Sequence, residues 1–330
     1  MTTIARLAGA LALAACASAL AQTPSTSPAP GYPSKPIKWV VPYTPGGITD
    51  SVTRLVAQKL QESLGQPIVI ENKPGANSIV GAEMIAKSPA DGYNMLTVIA
   101  AHAANVTLYA GKLPFDPVKS FVPVSLVAVA PLILTVNNDF PARDMKELIA
   151  YARANPDKIS FGSSGVGAAA HLTTELLKQT ADVKMVHVPY KGTAPALQGL
   201  LSGDIQVLVD VPSSLMPQVR AGKIRALGMF SAKRVSGAPE VPTIAEAGGP
   251  AIEGSTWVLF LAPAGTPREI VQRLSSETAK IVGAPDLHAR FEQLGIEPVG
   301  STPEQAAAFL NDEIAKWAKV ITTAGVKAEQ

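Results

Sequence analysis

Two short stretches carry the residues best suited to chemistry. VVPYTPGGITD (residues 40–50) and FGSSGVGAAAH (161–171) each run an apolar strand into glycines and on into a helical pattern. The first offers Tyr43, Pro45, Gly46, Gly47, Thr49 and Asp50, and the second Ser163, Ser164, Gly165 and Gly167. A helix start leaves up to about four backbone N–H groups without an intrahelical partner. It also carries a partial positive charge, so an anion is stabilised there. Glycine lets a ligand approach the backbone closely, and serine adds hydroxyl donors. A plainer use of the same residues stays open, in which Thr49 or Asp50 merely caps the helix.

Other chemistries fit less well. The first loop has no P-loop lysine, which argues against a nucleotide phosphate. Gly165-x-Gly167-x-x-Ala170 matches a relaxed dinucleotide fingerprint, but the next strand ends in Tyr190-Lys191, where a ribose-binding acid should stand. A nucleophile elbow needs G-x-S-x-G, and Gly162-Ser163-Ser164-Gly165-Val166 fails at its last position. An exported α/β hydrolase of a small ester therefore remains only as the alternative, with Ser164, Asp210 and His288 in chain order. His102, His171, His187 and His288 stand singly and predict no metal site. His102, with its neighbour Ala101, and His171 lie near strand ends and stay candidates for ligand contact. So do Lys191 and Asp210 in VPYKGTAPALQGLLSGDIQVLVDVPSS, because open α/β sheets bind ligands beyond strand C-termini. No cofactor is called for.

The elements that must position these residues alternate. Strand-like runs at 37–43, 68–72 and 95–100 are interleaved with helical patterns at 49–64 and 79–87. A long apolar segment at 122–136 interrupts the rhythm. A second group comes next: helices near 144–154, 168–179 and 194–201 alternate with strands at 159–164, 185–190 and 205–210, and a strand at 224–230 comes after them. The apolar segment STWVLFLAPAG then leads to three helices at about 268–282, 287–294 and 304–323. Continuous Val/Ile runs between helices predict buried parallel strands in β-α-β units. Two α/β groups joined by two long apolar segments predict two lobes, with the C-terminal helices returning to the first. We expect lobe 1 over 36–127 plus 231–330 and lobe 2 over 128–230.

Composition sets the class. The 330 residues are 47% hydrophobic and 16% charged, with a formal net charge of +2 and no run of either sign. That predicts a globular protein without a nucleic-acid footprint. Arg6, the apolar stretch 7–15 and Ala19-Leu20-Ala21 have the order of a secretory signal, predicting cleavage after Ala21 and a periplasmic location. Leu13-Ala14-Ala15-Cys16 also has the form of a lipoprotein box, with the chain then anchored at Cys16. Residues 22–35, rich in Pro and Ser, read as a flexible tether.

In order along the chain, YPSKPIKWVVPYTPGGITDSVTRLVAQKL, GQPIVIENKPGANSIVGAEMIAKSPADGY, FDPVKSFVPVSLVA, ISFGSSGVGAAAHLTTELLK, MVHVPYKGTAPALQGLLSGDIQVLVD, GKIRALGMFSAKR, VPTIAEAG and FLAPAGTP resemble the tripartite tricarboxylate transporter receptors, the Bug-type periplasmic binding proteins. The resemblance runs from Tyr32 to the C-terminus. It implies an α/β, two-lobe, type II-like periplasmic binding protein, each lobe a mainly parallel sheet flanked by helices, with the ligand cleft between. It implies a non-enzymatic, monomeric receptor that captures a small organic carboxylate and hands it to the permease subunits of a tripartite tricarboxylate transporter, closing its lobes over the ligand. In such proteins the loops matching Tyr43–Asp50 and Ser163–Gly167 hold carboxylates through N–H groups, hydroxyls and bridging waters. The sequence departs from the family at Asn77-Ser78-Ile79 and at Ala100-Ala101-His102, both near the expected cleft mouth.

Overall fold

The structure is a computed structural model that describes residues 31–328, of which Pro33 onward forms one compact unit. The predicted signal segment, Cys16 and most of the tether lie outside the described residues.

The chain runs β1 (Ile37–Val41), α1 (Ile48–Leu64), β2 (Ile68–Asn72), α2 (Ile79–Ala86), β3 (Asn94–Val98), α3 (Ala100–Leu108) and β4 (Phe121–Pro131). It continues through β5 (Ile133–Asn137), α4 (Met145–Ala154), β6 (Ser160–Ser163), α5 (Ala169–Ala181), β7 (Val186–Pro189), α6 (Thr193–Ser202), β8 (Val207–Asp210), α7 (Pro212–Arg220) and β9 (Ile224–Met229). It ends with β10 (Ser255–Pro263), α8 (Arg268–Val282), α9 (Pro285–Gln293), β11 (Glu297–Pro298) and α10 (Pro303–Ala324).

These strands build two sheets, ordered β11-β4-β10-β3-β1-β2 and β7-β6-β8-β5-β9. Each sheet is mixed. β1 pairs in parallel with β2 and β3, and β6 with β7 and β8, as Val/Ile runs joined by helices predict, but β2 and β7 are partly exposed edge strands, not buried ones. The antiparallel pairs come from the long apolar segments, where β10 lies between β3 and β4 and β5 lies between β8 and β9. The segment 122–136 is thus two strands, one in each sheet, and the chain passes between sheets at Leu132.

Three chain segments meet at that passage. Leu132 N–H donates to Gly254 O at 2.9 Å, Gly254 N–H to Phe230 O at 3.0 Å, and Phe230 N–H to Leu132 O at 2.8 Å. A Cβ on Gly254 would collide with the Thr173 side chain of α5, so only glycine lets the segment approach. Val235, Ala238 and Val241 share a core with Leu208, Leu215 and Met229.

Local rules explain most helix limits. α1 buries Val52, Val56, Leu60 and Leu64 along one face and stops at Gly65, in the left-handed region at φ 69°. α10 starts on a Thr302/Gln305 capping box with Pro303 in its first turn. Its Glu313 carboxylate accepts the indole N–H groups of both Trp257 and Trp317 at 2.8 Å, which satisfies the two large buried rings together.

Candidate functional site

A cleft of about 790 Å³ lies where strand C-termini of both sheets open. Five helices begin on its wall: α1 through Gly47, Ile48 and Thr49; α3 through Ile99 and Ala101; α5 through Ala168–Ala170; α6 through Gly192–Ala194; α7 through Val211, Ser213 and Ser214. None of the five has a side-chain cap, which leaves N–H groups at these starts without a side-chain acceptor. Their dipoles add a field that favours negative charge. Leu132, Leu197, Leu294 and Ile296 give the cleft an apolar lining, and Thr256 of β10 stands among them.

The first loop is built around Asp50. Its carboxylate accepts the Gly46 N–H at 2.9 Å, Arg54 Nε at 2.9 Å and Asn72 Nδ2 at 2.9 Å. Burial opposes its ionisation, but Arg54, the Gly46 N–H and Asn72 outweigh that and hold the carboxyl below its ordinary value. Asp50 therefore fixes the loop and does not line the cleft. Gly46, at φ 88°, supplies the left-handed turn, and its N–H is already engaged. Gly47 is the open position: its backbone is extended and a Cβ there would meet nothing within 4 Å. Tyr43, Gly46, Gly47 and Thr49 line the cleft, whereas Pro45 is exposed outside it.

The second loop turns its polar groups inward. Ser163 is fully buried, with Oγ 2.7 Å from His187 Nε2 and 3.0 Å from Gly165 O. Gly167 N–H donates to His171 Nδ1 at 3.1 Å, and the His171 and His187 rings stack with centroids 3.7 Å apart. Burial, then the neighbouring His187 and Lys178, lowers His171 to about 3; burial and Lys178 lower His187 to about 4. Both rings are neutral at physiological pH. Of this loop's predicted residues only Ser164 reaches the cleft; Ser163, Gly165, Gly167 and His171 support it from behind. Gly167, at φ 78°, instead packs across the cleft edge, where a Cβ would stand 2.5 Å from Leu108 Cδ1 and 3.6 Å from Asn77 Nδ2.

His102 is likewise internal. Its Nε2 lies 2.8 Å from Pro117 O, its ring packs edge-on against Phe121, and burial lowers it to about 4. Ala101 beside it does line the cleft, as do Lys191 and Asp210. His288 sits on α9 near Glu292 at 3.9 Å, away from the cleft lining, so the Ser164–Asp210–His288 set is not assembled.

Several lining residues carry no local signal in the sequence. Leu132, Thr256, Leu294 and Ile296 come from the crossing strands and the C-terminal region. Asn77 stands out in the sequence only as a departure from the family pattern. It sits in a left-handed run from Ala76 to Ser78 and exchanges hydrogen bonds of 2.8 Å with Asn105 of α3. Ser213 and Ser214 lie three and four residues after Asp210, in the first turn of α7, and their closeness to a strand end is the one available clue.

Comparison with known proteins agrees with this geometry. Residues 52–326 match the tripartite tricarboxylate transporter family receptor. A protein of the tcbD–tcbE intergenic region of Pseudomonas sp. (strain P51) is 40% identical over 316 residues, 94% of each chain. The R. palustris protein Rpa4515, solved with adipate, superposes with a TM-score of 0.82 at 38% identity, covering 90% of this chain and 99% of that one. The periplasmic binding protein BugD superposes at 0.78 with 35% identity, covering 90% and 100%. Two mixed α/β sheets, a cleft walled by helix starts and relatives matched over nearly their full length lead to one assignment: the chain belongs to the tripartite tricarboxylate transporter receptor family of periplasmic solute-binding proteins.

Proposed function

We propose that this chain captures a small organic carboxylate in the cleft and presents it, lobes closed, to the permease of a tripartite tricarboxylate-type transporter. The observation that carries this reading is the open α1 start: Gly47, Ile48 and Thr49 face the cleft while the nearby carboxylate, Asp50, is turned onto Arg54 and Asn72. A carboxylate placed there receives backbone N–H donors and the α1 dipole without a buried counter-charge. Ser164 and the α5 start supply the opposing contacts. Lys191, exposed at the cleft edge, adds attraction that salt screens. The adipate seen in Rpa4515 is a ligand of this general kind.

The site supports binding without turnover. Ser163 and His187 form a hydroxyl–imidazole pair, but Ser163 is sealed from the cleft and cannot meet a substrate. A thermal-shift screen of organic acids tests the reading. At about 100 times its dissociation constant a ligand adds about 2.7 kcal/mol, a clear rise in melting temperature. A screen in which no carboxylate stabilises the protein, or hydrolysis of a small ester abolished by Ser164→Ala, overturns it.

A further inference from the structure

Among the described residues lining the cleft only two are formally charged, Lys191 at the exposed edge and Asp210 within. Asp210 ends β8 and is 6% exposed. Oδ1 accepts the Val211 N–H at 2.8 Å and Oδ2 accepts the Thr193 hydroxyl at 2.8 Å. No cation pairs with it among the described residues, in contrast with Asp50, which is bound by Arg54. A carboxylate oxygen has two lone-pair directions, so each oxygen of Asp210 retains acceptor capacity toward the cleft it lines.

A buried anion without a counter-ion is unfavourable unless the ligand completes it. The neighbourhood is built to keep the group in place, since α6 and α7 start on either side of it and Thr193 pins one oxygen. Burial pushes its carboxyl up, with the Val211 N–H and Thr193 opposing. The cleft is therefore asymmetric. The α1 side offers no charged side chain, and the β8 side adds an anionic acceptor.

Resting on the carboxylate reading of the cleft, we infer that Asp210 is a specificity-determining residue, selecting an acid whose second polar end is a hydrogen-bond donor, such as an ammonium or hydroxyl, over a fully ionised dicarboxylate. A second carboxylate near the buried Asp210 places like charges together, which disfavours ionisation of both. A donor end instead meets the open lone pairs directly.

Calorimetry at neutral pH with two length-matched pairs tests this: glutarate against γ-aminobutyrate, and adipate against δ-aminovalerate. The wild-type protein should bind an amino member at least about tenfold more tightly than its dicarboxylate partner. Asp210→Asn should level or reverse that ratio, because its amide can keep the Val211 and Thr193 contacts while removing the charge. Dicarboxylate preference in the wild type, or an unchanged ratio in Asp210→Asn, overturns the inference and leaves the carboxylate reading standing. Failure of all four acids to bind overturns it too, and the carboxylate reading falls with it only if the wider acid screen is also empty. Should Asp210→Asn not fold, the wild-type ratio decides alone.

Discussion

Gly46 and Gly165 each follow a parallel strand and each precede a helix that opens on the cleft, yet the polar groups around them are committed differently. In the first loop the one carboxylate is drawn back by Arg54, Asn72 and the Gly46 N–H, leaving the α1 start free for a ligand. In the second, Ser163, Gly165, Gly167, His171 and His187 satisfy one another, leaving Ser164 and the α5 start at the surface of the cleft. The difference teaches that a glycine-rich strand-to-helix turn has two separable parts: donors offered outward and a scaffold that holds them. The first loop keeps its scaffold in a charged side-chain cluster. The second keeps it in stacked neutral imidazoles.

Substitution of the two loops should therefore fail in different ways, with the largest effect at Gly47. Its backbone is extended and its surroundings are empty, so Gly47→Val should fold normally while its side chain occupies the anion position. We expect affinity for the bound acid to drop more than about a hundredfold, about 2.7 kcal/mol, with an unchanged melting temperature. Gly165→Val, at φ 142°, should lower the melting temperature as well, because an L side chain is strained there. Equal loss of stability in both variants would erase the distinction.

Acid should separate the loops next. The folded-state values of His171 and His187 lie near 3 and 4, below the ordinary imidazole value, so the folded protein binds fewer protons than the unfolded chain between those limits. Their contribution to stability is complete above about pH 6.5 and is lost as pH falls through 4 toward 3. His102 adds to the same global trend. Asp50, lowered from the ordinary carboxyl value, holds its contribution to lower pH and loses it only below about pH 4. Amide-exchange protection corrected for intrinsic rates gives the local reading: the Gly167 N–H loses its acceptor when His171 protonates, whereas the Gly46 N–H keeps Asp50. Protection at Gly46 vanishing first would contradict the assignment of scaffolds.

Ser163→Ala probes the second scaffold directly. It strands His187 Nε2 in a part-buried site, which costs about 1 kcal/mol, the low end for an unsatisfied polar group. The melting temperature should fall by several degrees, with affinity nearly unchanged. A variant with wild-type stability and lost binding would make Ser163 a ligand contact after all.

How much of the molecule is legible in its sequence varies with the range of the interaction. β2 falls on residues 68–72 as its Val/Ile run predicts, and α8 on 268–282 as its amphipathic period predicts. α3 escapes sequence reasoning because AAHAANVTL is buried on nearly every side and has no polar face to set a helical period. The two loops are legible as anion sites from glycine and strand-end position, but their internal hydrogen bonds are not. His171 and His187 meet only because α5 folds back on β7, sixteen residues along the chain on another element. The cycle joining Leu132, Phe230 and Gly254 spans three distant segments and leaves no local pattern. By sequence Gly46 and Gly47 are equal candidates for the donor, and only the Asp50 contact moves that role to Gly47 and the residues after it.

The smallest effect concerns the one hydroxyl of the second loop that reaches the ligand. Ser164 lines the cleft half-buried, and among the described residues no hydrogen bond ties its Oγ to the scaffold behind it. Removing it deletes a single neutral hydrogen bond, about 0.5–1.5 kcal/mol, while water can enter the space and replace part of it. Ser164→Ala should weaken binding by about tenfold at most and leave both the melting temperature and the exchange of Gly167 unchanged. The pairing with Ser163→Ala is what gives the measurement its force. Adjacent serines should sort cleanly, one into affinity and the other into stability. If Ser164→Ala removed binding altogether, the second lobe would be contributing its main grip through a side chain, and the backbone-donor account would have to be confined to α1.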